Sequence, residues 1–439
     1  MAQHLTRALR ICLIGAVLAA PAFAAEPETL LVHAGQLLDQ PGKAPRGAST
    51  VVVAGGKIVA VREGFVGADA YPGARVIDLR DKFVLPGLID SHVHLTSDRA
   101  GNEGALAGFT ESIPAFAYEA EMNARKTLQA GFTTVRNLGD RRGITLALRD
   151  AVAKGWVQGP RILDAGMSIS ASAGHMDGRN GLADWVSGAA DTDNLCDSAE
   201  SCRRAVRLQV ARGVDWIKIA TTGGVNSRIG AGLGKQMFDD EAKALIDTAH
   251  MYGKKVAVHA HGDDGINLAL AMGADSIEHG TMLDEAGIKL FLKSGAYYVP
   301  TLSTVNGYLE RIAKDPNAYS PAVRAKIDWR IGVTGKSLKI AHGRGVKIAF
   351  GTDAGVSKHG RNADEFELMV KFGMTPAEAI KAATVNAADL LGVSEVAGSL
   401  AAGKSADMIA VAGDPLQDVK RLKTVAFVMM AGQVVKSAP

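Results

Sequence analysis

The sequence predicts an α/β protein: a (β/α)8 TIM barrel joined to a small β-sandwich domain formed from both chain ends. Three observations predict it. Between residues 84 and 393, short β-rich runs alternate with helical-period segments, the pattern of repeated βα units and a parallel sheet. There are eight such runs, over 84–94, 133–138, 161–165, 216–220, 256–261, 276–279, 297–302 and 346–352, the number a closed barrel requires. Both chain ends carry short apolar strands broken by glycine turns, as though one β-domain were interrupted by a large insertion.

Residues 1–24 stand apart from both domains. Arg7 and Arg10, an apolar run over 11–20 and the small-x-small triplet Ala22-Phe23-Ala24 read as a secretory signal cleaved near Ala24. The apolar run falls well short of the ~20 residues that span a bilayer, so a cleaved leader fits better than an anchor. The mature chain is expected to be periplasmic or secreted from a bacterium and free of the membrane. Cleavage removes two arginines and no acids, taking the net charge from +3 to 3 − 2 = +1. Nothing in that balance steers the chain towards nucleic acid.

The small β-domain is expected over 25–83 and 394–439, with strands near 29–33, 50–54, 57–61, 407–411, 425–430 and 433–435. The barrel takes 84–393, with helices near 119–130, 199–212, 240–252 and 363–372. Two glycine-rich stretches, 168–193 and 221–238, follow the third and fourth barrel strands. They lie on the face where barrel active sites form, and they are read as pocket loops. The run from Gly230 to Lys235 lacks the spacing and the hydroxyl residue of a phosphate loop. Cys12 leaves with the leader; Cys196 and Cys202 remain, as a disulfide or as two free thiols.

Side chains that carry chemistry collect at the strand ends. In His92-Val93-His94, alternation along a strand points both imidazoles to one face. His259 lies near the end of the fifth run and His279 ends the sixth. Asp353 follows the eighth in Gly351-Thr352-Asp353-Ala354. Four imidazoles and a carboxylate at one rim suit zinc or a similar divalent ion. Lys218 is the odd member, because a lysine inside an apolar strand is expensive to bury as an ammonium. It reads either as one half of an ion pair or as an amine that takes up carbon dioxide and becomes a carbamate. His261 faces the same interior as His259, and spacing alone leaves their roles exchangeable. His175, Tyr298 and Arg136 are expected to bind substrate, with a structural ion pair as the alternative for Arg136. His250, His342 and His359 are assigned to ordinary surface or loop positions.

This ordered set resembles the amidohydrolase superfamily, in its binuclear subtype with a carboxylated lysine. The likeness extends through Gly174-His175, Val258-His259-Ala260-His261, Ile277-Glu278-His279-Gly280 and the closing segment 398–407. It is most similar to the imidazolonepropionase-related dipeptidases and N-acyl amino acid hydrolases, a group that includes ochratoxinase. The resemblance implies two zinc or similar ions. One would be held by His92, His94 and Asp353 and the other by His259 and His279, with carboxylated Lys218 bridging them around an activated water. It further implies Asp353 as the acid-base group, His261 as a substrate-polarising group, and a homo-oligomer, up to an octamer. The implied reaction is hydrolysis of an amide bond in a dipeptide or N-acyl amino acid, with release of the C-terminal residue. Two alternatives remain at this stage. One is a ring-opening hydrolase of cyclic amides or lactones, against which Lys218 argues; the other is a metal-free binding or scaffold barrel.

Overall fold

Strands β1 Leu30–Leu37, β2 Ser49–Ala54, β3 Lys57–Glu63, β4 Arg75–Pro86, β5 Leu88–Val93, β6 Phe132–Asn137, β7 Arg161–Asp164, β8 Ile217–Ala220, β9 Val256–Ala260, β10 Ser276–His279, β11 Tyr297–Val299, β12 Met408–Val411, β13 Val425–Met430 and β14 Gln433–Ser437 form three sheets. The structure, a computed structural model, describes residues 28–437 apart from 68, 100, 140–141, 189 and 229–231. The leader expected over 1–24, with Cys12, lies outside the described residues.

Both chain ends pair into one sheet of order β14-β13-β12-β4-β1-β2-β3. Its core joins Val32, Val51, Val53 and Val84 from the first end to Met408, Ala410, Phe427 and Met429 from the second. Among the described residues the strands of this composite β-domain are hydrogen-bonded in one continuous order, which joins the two chain ends as expected. The run predicted over 84–94 is in fact two strands. Pro86 has no N–H for a ladder, and a Cβ on Gly87 would stand 2.2 Å from Thr133 Oγ1. β4 ends there, paired with β12, and β5 starts a new sheet.

The remaining strands form two all-parallel sheets, β5-β6-β7 and β11-β10-β9-β8. Single bridges connect them on both sides. Ile169 pairs with Ile219 at one seam; Tyr298 with Ile348 and Val93 with Ala354 bracket the other. The eighth run, 346–352, forms no continuous strand, only a single bridge from Ile348 to Tyr298. Its backbone groups divide between neighbours, Ala349 N–H donating to Tyr298 and Phe350 accepting from Ser91. Helices follow the strands, among them Ile113–Gln129, Ala199–Ala211, Asp239–Met251 and Asp263–Met272. Ser112 caps the first, with Pro114 in its first turn, and Ser198 with Ser201 makes a capping box on the second. Their apolar faces share one large core with the strands. Cys196 and Cys202 are joined by a disulfide across the start of helix Ala199–Ala211. No described helix is long and apolar enough to cross a membrane.

Candidate metal centre

Strand alternation and strand ends bring the predicted ligands to one place. His92 on β5, Lys218 on β8, His259 on β9 and His279 on β10 line a single cavity of about 110 Å³, with His94, His261, His175 and Asp353. His94 Nε2 lies 3.2 Å and His92 Nε2 3.5 Å from Asp353 Oδ1. The His279 ring centroid is 5.1 Å from that of His92, 4.7 Å from His259 and 5.0 Å from His261. Ligand atoms of His92, His279 and Asp353 fall within 4.8 Å of one another. His279 and Asp353 have φ of 71° and 56°, the left-handed region that non-glycine residues avoid. Strain of this kind collects at functional sites, where surrounding structure holds it.

Neighbouring groups fix which nitrogen each ring presents. Glu278 Oε2 accepts a hydrogen bond from His92 Nδ1–H at 2.8 Å, leaving Nε2 towards Asp353. Thr301 Oγ1 lies 2.7 Å from His279 Nδ1, and Thr281 Oγ1 2.8 Å from His261 Nδ1. His259 Nε2 reaches the Gly223 carbonyl at 3.2 Å, so Nδ1 is its remaining ligand atom. Such partners set tautomer and orientation in metal sites. Burial holds the imidazoles of His259, His261 and His279 well below their ordinary value and His92 down to about 4, so all four rings are neutral at pH 7. Neutral imidazole is the ligating form.

Lys218 is 1% exposed, and its Nζ is buried without a hydrogen-bond partner among the described residues. Burial, against the attraction of Glu278 and Asp353, lowers its amine to about 8. An orphaned amine among neutral imidazoles and a carboxylate fits a site that takes cations and a modified lysine. Buried polar atoms are otherwise almost always paired.

Two sequence assignments, Tyr298 and His359, need correction, and Arg136 takes the structural ion pair that was its alternative. Tyr298 does not reach the cavity: it is buried behind His279, donating its hydroxyl to the His279 carbonyl. Arg136 is fully buried and binds no open space; it donates to Ser91 O, Ser276 Oγ and Glu278 Oε1, with its guanidinium 4.4 Å from the Trp216 ring centroid. His359 is neither exposed nor idle, since its Nε2 donates to the His94 carbonyl at 3.0 Å. His175 does line the cavity, its Nδ1 2.6 Å from Ser227 Oγ. His250 and His342 lie on helices beside Asp275 and Glu378. Glu278 and Arg330 were not singled out by the sequence reading; the only signal for Glu278 was its place beside His279.

Comparison with known proteins agrees with this geometry. A sequence profile described as Amidohydrolase family matches residues 83–435. Ochratoxinase of Aspergillus niger is 31% identical over 437 residues, covering 94% of this chain and 87% of its own. The crystal structure of a Xaa-Pro dipeptidase with methionine bound in the active site superposes with a TM-score of 0.87 at 38% identity, covering 93% of this chain and 99% of the other. A prolidase complexed with N-methylphosphonate-L-proline gives 0.83 at 30% identity, covering 93% and 100%. The chain belongs to the amidohydrolase family, hydrolases acting on C–N bonds.

Proposed function

We propose that the protein is a metal-dependent hydrolase of the amide bond in dipeptides or N-acyl amino acids, releasing the C-terminal amino acid. The observation that carries this reading is the partnerless Nζ of Lys218 inside the ring of histidines. An ammonium there would be an unpaired buried charge. The deprotonated amine instead adds carbon dioxide: an N–C bond forms, the amine proton leaves, and the product is a carbamate with oxygen ligands. His92, His94 and Asp353 would then hold one divalent ion, zinc or similar, and His259 and His279 a second, with N6-carboxylated Lys218 between them. Two bound cations would supply Lewis acidity, polarising an amide carbonyl and making water a stronger nucleophile near neutral pH.

The chain's own groups do the rest. Asp353, within reach of the cavity centre, accepts the proton of the attacking water and returns it to the departing amine nitrogen. His261, anchored through Nδ1 to Thr281, keeps Nε2 for the scissile carbonyl. Glu278 and Thr301 keep the ligand rings in register. In this reading the two parallel sheets and the bridges at both seams close into a (β/α)8 barrel, residues 1–24 are removed on export to the periplasm or beyond, and the mature chain is a homo-oligomer. Relatives named ochratoxinase, Xaa-Pro dipeptidase and prolidase support a small amide as substrate. The test is a library of dipeptides and N-acyl amino acids incubated with zinc-loaded protein. Release of free amino acid from some members is expected; no release from any would refute the reading.

A further inference from the structure

Arg330 sits on helix Pro321–Val333, is 3% exposed, and lines the same cavity as the histidines. Its surroundings differ from those of the equally buried Arg136, which has the Glu278 carboxylate at 2.8 Å. Arg330 has no ion-pair partner among the described residues. Two of its N–H groups find acceptors, both uncharged: Thr334 Oγ1 at 3.1 Å and the Thr301 carbonyl at a long 3.4 Å. The groups whose field reaches it are the buried hydroxyls of Tyr298 and Tyr308 and then two carboxylates, Glu365 and Asp353. Both carboxylates are engaged elsewhere, Glu365 with the N–H groups of Leu302 and Ser303 and Asp353 with His94.

A guanidinium taken out of water without an anion is costly, and its planar fork matches a carboxylate in two parallel hydrogen bonds. Asp353 is the sole carboxylate among the described lining residues, and the metal reading commits it, so no acidic side chain is left to pair with a cationic substrate group. The rest of that wall is apolar or neutral: Met176, Val225, Tyr308 and Val356.

We propose that Arg330 binds the free carboxylate of the amino acid on the amine side of the scissile bond, so that the enzyme cleaves only amides ending in that carboxylate. This inference rests on the amide-hydrolase reading above. The substrate supplies the missing anion, and the same contact sets which amide lies beside Asp353 and Lys218. Internal amides and capped peptides leave the guanidinium unpaired and are rejected.

The test pairs each dipeptide and N-acetyl amino acid of a panel with its C-terminal carboxamide and quantifies the N-terminal product, comparing wild type, Arg330→Gln and Arg330→Lys. In the wild type, kcat/KM for the free acid should exceed that for the carboxamide by about 100-fold or more. Arg330→Gln should lower the free-acid value by a similar factor and leave the carboxamide value within about threefold, collapsing the ratio. Arg330→Lys should keep part of the preference, because it keeps the charge and loses the fork. Equal cleavage of acid and carboxamide by the wild type, or equal losses on both in the variants, overturns this inference alone. No cleavage of either overturns the amide-hydrolase reading and this one with it.

Discussion

Replacing Glu278 by Gln should damage both the fold and the metal site, for a reason visible in its contacts. The carboxylate accepts from Arg136 and Ser276 on Oε1 and from His92 on Oε2, all fully buried. Burial opposes the charge, yet the Arg136 guanidinium and His92 hold the Glu278 carboxyl down to about 2. A glutamine offers one acceptor oxygen and an NH2. With the oxygen towards Arg136, the NH2 faces His92 Nδ1 and forces the other tautomer, placing a proton on the nitrogen meant for metal. With the amide turned, Arg136 meets an NH2 and is left as a buried unpaired cation. Breaking one partner of a buried ion pair costs about 3–5 kcal/mol, and losing the group that orients a ligand histidine typically costs 10–100-fold in metal affinity. Chemical denaturation of the metal-stripped protein isolates the first effect, and zinc competition against a chelator isolates the second. A variant within about 1 kcal/mol of wild type in the first assay, a loss far below that of a broken pair, and unchanged in the second would refute the account of this network.

Three further outcomes follow from the same geometry. Lys218→Met should reduce activity at least about 1000-fold, yet leave the metal-free protein unchanged or more stable by about 1–3 kcal/mol, because it removes a buried amine without a partner; kinetics and denaturation check it together. Thr301→Val keeps shape but deletes the hydroxyl 2.7 Å from His279 Nδ1, and should weaken zinc binding about 10–100-fold in chelator competition. Glu365 is raised to about 7, chiefly by burial, so its folded value lies above the ordinary carboxyl value of 4.5. It therefore contributes stability that is full below pH 4.5 and is lost as the pH rises through 7, on the order of 3 kcal/mol in all. Glu365→Gln should flatten the difference in unfolding free energy between pH 5 and pH 8 measured in urea.

Much of the site was legible because its histidines and its lysine sit where a local rule places them. His92 and His94 share a strand face by alternation, and Lys218, His259 and His279 each lie on a run of apolar β-rich residues. The failures arise where position depends on distant partners. Tyr298 alternates correctly along β11 but packs behind His279, which only the register against Ile277 decides. Arg136 and Glu278 are 142 residues apart and meet because the fold brings β6 and β10, strands of two different parallel sheets, together. His359 follows no period, and its burial comes from the return of the chain against His94. The eighth run looked like a strand by composition, but its end bends at Asp353, whose N–H is given to His92 O. Arg330 belongs to a helix after β11, and nothing in its neighbours announces that it turns into the cavity.

The most direct trial is anomalous diffraction from crystals of the protein prepared with zinc and bicarbonate. The account predicts two metal peaks, one against His92, His94 and Asp353 and one against His259 and His279, with extra density extending Lys218 Nζ between them. A bare lysine side chain, with no peak beside these histidines, would contradict it.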